Sequence, residues 1–114
     1  MPRRVAIVGV GLTRCSSWRK DVAYPVLVYE ATSAALQDTG ITPNDVNAVV
    51  YGCMDPFDGV NAPEKWNVDA CAAAGMLNKP YLKISTGGTT GGSTALAGYY
   101  HVASGLHDVV LAVA

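Results

Sequence analysis

The sequence lacks long apolar runs and has almost no surplus of charge. No stretch approaches the roughly 20 apolar residues that span a bilayer, and residues 1–9 reach glycine before the core of a signal peptide is complete. Eight basic and nine acidic residues leave a net charge of -1, which provides no general field for gripping nucleic acid. We therefore expect a cytoplasmic protein that neither enters a membrane nor binds nucleic acid.

Cysteine is also scarce. The three residues Cys15, Cys53 and Cys71 are odd in number and have no CxxC spacing, which argues against a disulfide framework and a zinc site. Cys71 lies inside a predicted helix, away from the helix N-terminus that would lower its pKa, so it is interpreted as a buried structural thiol. His101 and His107 have Gly105 between them and do not share a helical face for metal binding. We expect reduced thiols and no metal site.

Half of the 114 residues are apolar, enough for the core of one domain. Short β-branched runs predict strands, small-residue and amphipathic stretches predict helices, and Thr42 and Pro43 predict a helical turn. The predicted strands are 4–9, 47–52, 80–84 and 108–113, and the helices are 25–38, 66–76 and 94–104. This alternation predicts an α/β layered fold with a mainly parallel central sheet. Because no helix follows the last strand, we expect residues 1–114 to be the N-terminal half-domain of a longer chain.

A glycine cluster, residues 86–93, separates the third predicted strand from the third helix. Glycines in this position let backbone N–H groups converge on an anion or a developing oxyanion. Alternatively, Gly91, Gly92 and Gly98 let the small-residue helix pack closely against another helix or subunit. The sequence leaves both interpretations open.

Two other segments offer weaker candidates. Gly9 and Gly11 follow a strand as in a dinucleotide-binding turn, but Arg14 stands where the third glycine belongs, so we interpret them as a structural turn. A polar loop follows that contains groups able to meet a phosphate, although a solvated loop is the default interpretation: Arg14, Ser16, Ser17 and Lys20.

The chain resembles the N-terminal half of thiolases, especially the archaeal and sterol-carrier-protein-linked branch. Four segments carry the resemblance, in this order: residues 5–11, 36–46, 49–52 and 103–113. Family members carry a Cys-Ala-Ser-Gly motif whose cysteine lies about twenty residues before the aspartate that matches Asp108. Counting back places that slot at Gly88. An error of one residue would place Gly87 or Thr89 there, and neither has a thiol.

The resemblance implies a substrate that contains coenzyme A, with no tightly bound cofactor. Thiolysis and Claisen condensation in this family pass through a cysteine thioester, for which glycine has no nucleophile. The glycine-rich turn would still supply an oxyanion and substrate site, made of Gly87, Gly88, Thr89, Thr90 and Gly91. Retro-aldol cleavage, as in cysteine-less sterol side-chain aldolases of lipid metabolism, needs no acyl-enzyme. Its acid–base groups would come from beyond Ala114.

Two alternatives to a retro-aldolase stay open. One is a non-catalytic carrier of lipid or acyl-CoA, or a scaffold subunit. The other is an acetyl-CoA acetyltransferase, which requires a different register. We also expect a homodimer or hetero-oligomer, because the strand 108–113 would otherwise leave an apolar surface or edge uncovered. The resemblance suggests a zinc-ribbon/OB-fold protein as one such partner.

Overall fold

The computed structural model describes residues 2–54 and 78–114. Helix α1 spans Tyr24–Thr39, strand β1 spans Ala48–Gly52, and strand β2 spans Tyr81–Ile84. Helix α2 spans Thr90–Ala103 and strand β3 spans Val110–Val113. The predicted helix 66–76, with Cys71, and most of the predicted loop 53–65 lie outside the described residues. The other predicted elements, apart from the first strand, form within a few residues of their expected bounds.

The three strands form one parallel sheet in the order β2-β1-β3. Val50 of β1 lies opposite Leu82 of β2 on one side and Ala112 of β3 on the other. All five residues of β1 are buried, as expected for a central strand covered on both faces. The α/β fold with a parallel central sheet is therefore confirmed.

Helix α1 covers one face of this sheet. Val28 of α1 joins a buried cluster with alternate residues of β1 and β3, namely Val49, Tyr51, Leu111 and Val113. The helix ends at Gly40, which adopts the left-handed conformation (φ 71°) and donates its N–H to the carbonyl of Leu36. This is the glycine stop that the sequence predicts.

A short 3₁₀ turn, Pro43–Asp45, connects α1 to β1. The backbone N–H of Thr42 and its hydroxyl both donate to the carboxylate of Asp45, at 2.8 and 2.9 Å. These bonds hold the pKa of Asp45 below its ordinary value, the backbone N–H contributing more than the hydroxyl. Thr42 and Asp45 form a capping box, which confirms the predicted threonine cap.

Helix α2 covers the opposite face of the sheet, and small residues let it approach closely. A Cβ on Gly52 would collide with the side-chain oxygen of Thr94, and a Cβ on Gly98 would come within 3.3 Å of the Cβ of Ala112. Gly98 therefore packs inward against β3. The sequence alternative, in which Gly98 lets the helix pack closely against another helix or subunit, is wrong at this residue, because its close neighbour is a strand.

The start of α2 was also predicted incorrectly. The helix begins at Thr90, after a 3₁₀ turn at Gly87–Thr89, rather than at residue 94. The Thr94 hydroxyl donates to the carbonyl of Thr90, one helical turn back, at 2.7 Å. The glycine pair thus belongs to the first turn of the helix.

The first predicted strand does not form within the described residues. Residues 4–9 have no regular secondary structure and pair with no described strand, and Ile7 is 87% exposed. The sheet offers them no central position, because β1 pairs directly with β3. Instead Gly9 and Gly11 press against the backbone of α1, and the N–H of Val10 donates to Asp38 at 2.8 Å. The prediction of a buried strand at residues 4–9 is therefore wrong.

Candidate functional site

Gly88 lies in the turn between β2 and α2, inside the 3₁₀ segment Gly87–Thr89. A network of hydroxyls fixes this turn. The hydroxyl of Thr86 donates to that of Ser93 at 2.8 Å, and the Thr89 hydroxyl donates to the carbonyl of Thr86 at 2.9 Å. The Thr90 hydroxyl donates to the carbonyl of Gly87 at 2.7 Å. These side-chain hydrogen bonds connect the turn to the head of the helix.

This network engages several N–H groups of the predicted oxyanion site. The N–H of Thr89 donates to the carbonyl of Thr86 at 3.4 Å, and the N–H of Thr90 donates to the carbonyl of Gly87. The N–H groups of Thr89 and Thr90 therefore already donate hydrogen bonds within the turn and cannot also donate to a bound oxyanion. The candidate donors to a bound oxyanion reduce to Gly87, Gly88 and Gly91.

The space around the turn is open. Among residues 2–54 and 78–114, no atom outside the immediate chain neighbours lies within 4 Å of an added Cβ at Gly87, Gly88, Gly91 or Gly92. Of these four glycines, only Gly87 has the left-handed backbone conformation (φ 65°) that favours glycine. Gly88, Gly91 and Gly92 are therefore glycines that neither backbone conformation nor contacts among the described residues require.

An open cleft of about 420 Å³ lies next to this turn. It sits where the carboxyl ends of β1 and β3 meet the heads of both helices, which is the usual ligand position in open parallel sheets. Its lining residues come from these four elements and the residues directly after the strands: Tyr24, Gly52, Cys53, Met54, Thr90, Gly91 and Ala114.

Cys53 and Tyr24 are the thiol and phenol of this cleft. Cys53 directly follows β1 and is 5% exposed, and its sulfur lies 3.3 Å from the hydroxyl of Tyr24. Its N–H donates to the carbonyl of Ile84 at the end of β2. Sequence reasoning did not assign these two side chains to the site. Their available signal was position, since Cys53 directly follows a buried strand of a parallel sheet.

In the polar loop of residues 14–20, the positive charge of Arg19 is neutralised by two carboxylates outside the loop. The guanidinium of Arg19 contacts both oxygens of Asp21 at 2.8 and 2.9 Å and both oxygens of Glu30 at 3.1 and 3.2 Å. The hydrogen bonds to Asp21, and then those to Glu30, raise the pKa of Arg19, and Arg19 in turn lowers the pKa of Asp21. The ammonium of Lys20 lies 4.0 Å from the ring centroid of Trp18, which is exposed. Arg19 is thus paired with residues outside the loop, and the candidate phosphate-binding residues stay exposed to solvent: Arg14, Ser16, Ser17 and Lys20.

His101 and His107 come together, which their sequence spacing did not suggest. Gly105 adopts the left-handed conformation, and the chain turns back so that the two rings stack with centroids 5.8 Å apart and planes 11° apart. A metal lies in the plane of each imidazole that binds it, so stacked rings cannot both bind one ion. Across residues 2–54 and 78–114, no cluster of three or more His, Cys, Asp or Glu side chains is arranged to hold a metal.

The two described thiols, Cys15 and Cys53, are both free. Neither α1 nor α2, nor any other helix among the described residues, has the length and apolar character needed to cross a membrane.

Comparison with known proteins defines the family. A family model described as "Thiolase, N-terminal domain" matches residues 5–114. The chain is 30% identical over 113 residues to an acetyl-CoA acetyltransferase of Methanothermobacter thermautotrophicus, covering 96% of this chain and 28% of that protein. It is 31% identical over 114 residues to sterol carrier protein 2 of Gallus gallus, covering 99% of this chain and 20% of that protein. The chain thus spans only 28% and 20% of the length of these two relatives.

The structural comparison agrees on the fold. The priming β-ketosynthase of a polyketide biosynthetic pathway superposes with a TM-score of 0.63 at 22% identity, covering 76% of this chain and 25% of that chain. This likeness concerns the fold alone, whereas the family match extends over nearly the whole sequence. The chain therefore belongs to the thiolase family, as a thiolase N-terminal domain.

Proposed function

We propose that this domain binds acyl-CoA-type thioesters in the cleft beside Gly88 and forms no acyl-enzyme there. The observation that supports this most strongly is Gly88 itself. It occupies the strand-to-helix turn to which the family spacing assigns the nucleophile, and its Cβ position is open. The site would thus keep room for a thioester and N–H donors for its carbonyl oxygen, but no thiol to attack it.

Retro-aldol cleavage is the chemistry that best suits such a site. A base removes the proton of a β-hydroxyl, the bond between Cα and Cβ breaks, and the electron pair enters the thioester carbonyl as an enolate. The enolate is then protonated at Cα, so the step needs neither a nucleophile nor a redox partner. The turn would stabilise the enolate oxygen through Gly87, Gly88 and Gly91. Acid–base groups would come from outside residues 1–114.

Two other functions keep specific support. The likeness to sterol carrier protein 2 favours a non-catalytic carrier of lipid or acyl-CoA, or a scaffold subunit, which would bind the thioester and release it unchanged. The likeness to an acetyl-CoA acetyltransferase favours acyl transfer, which would require a nucleophile other than Gly88. Under all three proposals coenzyme A enters as part of the substrate. A cytoplasmic location and a zinc-ribbon/OB-fold partner remain parts of the proposal.

Thioester binding is tested by calorimetric titration with acetyl-CoA and with a β-hydroxyacyl-CoA, together with intact-mass analysis of the protein afterwards. We expect binding without a mass increase. In the matched variant Gly91→Val, the new side chain enters the open space beside the cleft, and we expect loss of binding with unchanged thermal unfolding. Turnover of the β-hydroxyacyl thioester separates the aldolase from the carrier. Equal heats for both proteins would contradict the proposed site, and an acetyl adduct that turns over would restore the acetyltransferase.

A further inference from the structure

The proposed thioester cleft at the head of α2 offers few side-chain groups to a polar ligand. Of the described residues that line it, only Tyr24, Cys53 and Thr90 carry a hydroxyl or a thiol. The Thr90 hydroxyl is already engaged, because it accepts the N–H of Thr86 at 3.0 Å and donates to the carbonyl of Gly87 at 2.7 Å. The phenol of Tyr24 and the thiol of Cys53 are therefore the two side-chain groups that a ligand in the cleft can engage.

The fold fixes the positions of both groups. Tyr24 is the first residue of α1, and its side chain packs against the buried cluster that contains Cys53. Cys53 directly follows β1, and its N–H donates to the carbonyl of Ile84 at 3.1 Å. The phenol oxygen lies 3.3 Å from the sulfur. Packing of α1 on the sheet thus holds the phenol at the cleft independently of any ligand.

The contact between the phenol and the thiol is easily exchanged. A thiol is a weak hydrogen-bond donor and a weak acceptor, so an alcohol forms the stronger bond with a phenol. A ligand hydroxyl that reaches Tyr24 can therefore take the place of the sulfur of Cys53. The thiol keeps a partner in that case, since the carbonyl of Met54 lies 3.7 Å from the sulfur as an acceptor.

The chemistry of the ligand indicates which hydroxyl this is. Gly91, a candidate N–H donor to the thioester carbonyl, lines the same cleft as Tyr24. When the carbonyl is held there, a hydroxyl on the β-carbon of the acyl group lies two carbon atoms further on, inside the cleft. The other lining residues have no side-chain hydroxyl to meet it: Gly52, Met54 and Ala114.

From these contacts we infer that Tyr24 is a specificity-determining residue, whose hydroxyl binds the β-hydroxyl of a β-hydroxyacyl thioester in exchange for the thiol of Cys53. The inference rests on the proposed thioester binding and names the substrate class that the cleft prefers. The phenol holds the β-hydroxyl in place, and the base that removes its proton in the proposed cleavage is a separate group.

The exchange also sets the size of the preference. A site whose polar group is left unpaired by the wrong ligand can reject that ligand by about 10⁴-fold. Here Cys53 keeps its contact with Tyr24 when the ligand has no hydroxyl. The ligand therefore gains only the difference between an alcohol and a thiol as partner, which corresponds to roughly three- to tenfold in affinity.

Calorimetric titration with two thioesters that differ by one hydroxyl, β-hydroxybutyryl-CoA and butyryl-CoA, tests this preference. Wild type should bind the first roughly three- to tenfold more tightly. Tyr24→Phe removes the hydroxyl and keeps the ring, so the preference should vanish while the affinity for butyryl-CoA stays within about twofold. Tyr29→Phe is the matched control, because Tyr29 lies on α1 and is 43% exposed but is not among the described residues that line the cleft; it should behave as wild type.

Cys53→Ser tests the exchange itself. A serine hydroxyl binds the phenol more strongly than a thiol does, so it should compete with the ligand and narrow the preference. Thermal unfolding checks that every variant folds. Equal affinities of wild type for the two thioesters, a preference that survives Tyr24→Phe or does not narrow in Cys53→Ser, or an equal loss of both affinities in Tyr24→Phe would overturn the inference and leave the proposed thioester site standing. Binding of neither thioester to wild type would overturn both.

Discussion

Two sets of glycines in this domain are glycine for different reasons. Gly11 and Gly52 lie where a backbone or side chain already occupies the place of a Cβ, against α1 and Thr94 respectively. Gly88 and Gly91 lie at the head of α2, where no other part of the described chain comes within 4 Å of an added Cβ. The first pair is explained by folding, because helix and chain could not otherwise approach so closely. The second pair is not explained by any contact among the described residues, which directs attention to what binds there.

The largest expected effect comes from filling the tight position in the sheet. Gly52→Ala drives a methyl group into Thr94, which is itself buried between α2 and the sheet. Overpacking of this kind costs about 1–3 kcal/mol, and the central strand has little room to move. Urea unfolding followed by circular dichroism should show a lower midpoint with an unchanged slope. An unchanged midpoint would mean that α2 can move away from β1 at no cost.

Gly11→Ala should destabilise the domain to a smaller extent. The added methyl group would collide with the backbone of α1 near Ala31 and Ala35, but residues 9–12 belong to no strand and can shift outward. We expect a loss of roughly 1 kcal/mol in the same unfolding experiment. A loss as large as that of Gly52→Ala would show that the N-terminal segment is as firmly packed as the sheet.

The open glycines should respond in the opposite direction. Gly91→Ala places a methyl group in free space within the first turn of α2, where alanine is favoured over glycine by up to about 1 kcal/mol. The thermal midpoint should stay level or rise. A fall comparable to that of the tight glycines would remove the distinction between the two sets. Measured together with thioester binding, the same variant shows whether a gain in stability accompanies a loss of function.

The smallest effect is expected at the capping box before β1. Because the folded state lowers the pKa of Asp45, its contribution to stability is present above the ordinary aspartate pKa. That contribution is lost as the pH falls through the lowered, folded-state value. Asp45→Asn should therefore flatten part of the acid-side decline in unfolding free energy and leave its pH dependence near neutrality unchanged. Since the carboxylate is solvent-exposed, the difference should shrink further in high salt.

Local patterns in the sequence predicted the three paired strands, helix α1, the glycine stop at Gly40 and the threonine cap at Thr42. The strands follow from runs of β-branched residues, and the helix ends follow from the conformations that glycine and proline prefer. Longer-range arrangement was not predictable in the same way. Residues 4–9 have the pattern of a buried strand, yet pairing depends on which neighbour occupies the centre of the sheet. The stacking of His101 on His107 likewise depends on the chain reversal at Gly105.

Part of the proposed site follows from a local pattern. A glycine cluster between a strand and a helix identifies the turn that contains Gly88, and the proposal that this turn holds the nucleophile slot rests on the resemblance to thiolases. The cleft beside the turn is built from Tyr24 and Cys53, which are 29 positions apart. No local pattern connects them, because the parallel sheet brings the end of β1 to the head of α1. The start of α2 at Thr90 was also missed, since glycine pairs usually indicate a loop.

The most direct test of the account is to return a thiol to the turn. Three single variants, Gly87→Cys, Gly88→Cys and Thr89→Cys, scan the slot in a Cys15→Ser background, each incubated with acetyl-CoA and followed by intact mass and peptide mapping. The account predicts that wild type gains no acetyl group and that Gly88→Cys gains one fastest, because its side chain enters open space at the head of a helix that favours the thiolate. Faster acetylation at position 89, or acetylation of Cys53 in the wild-type chain, would contradict it.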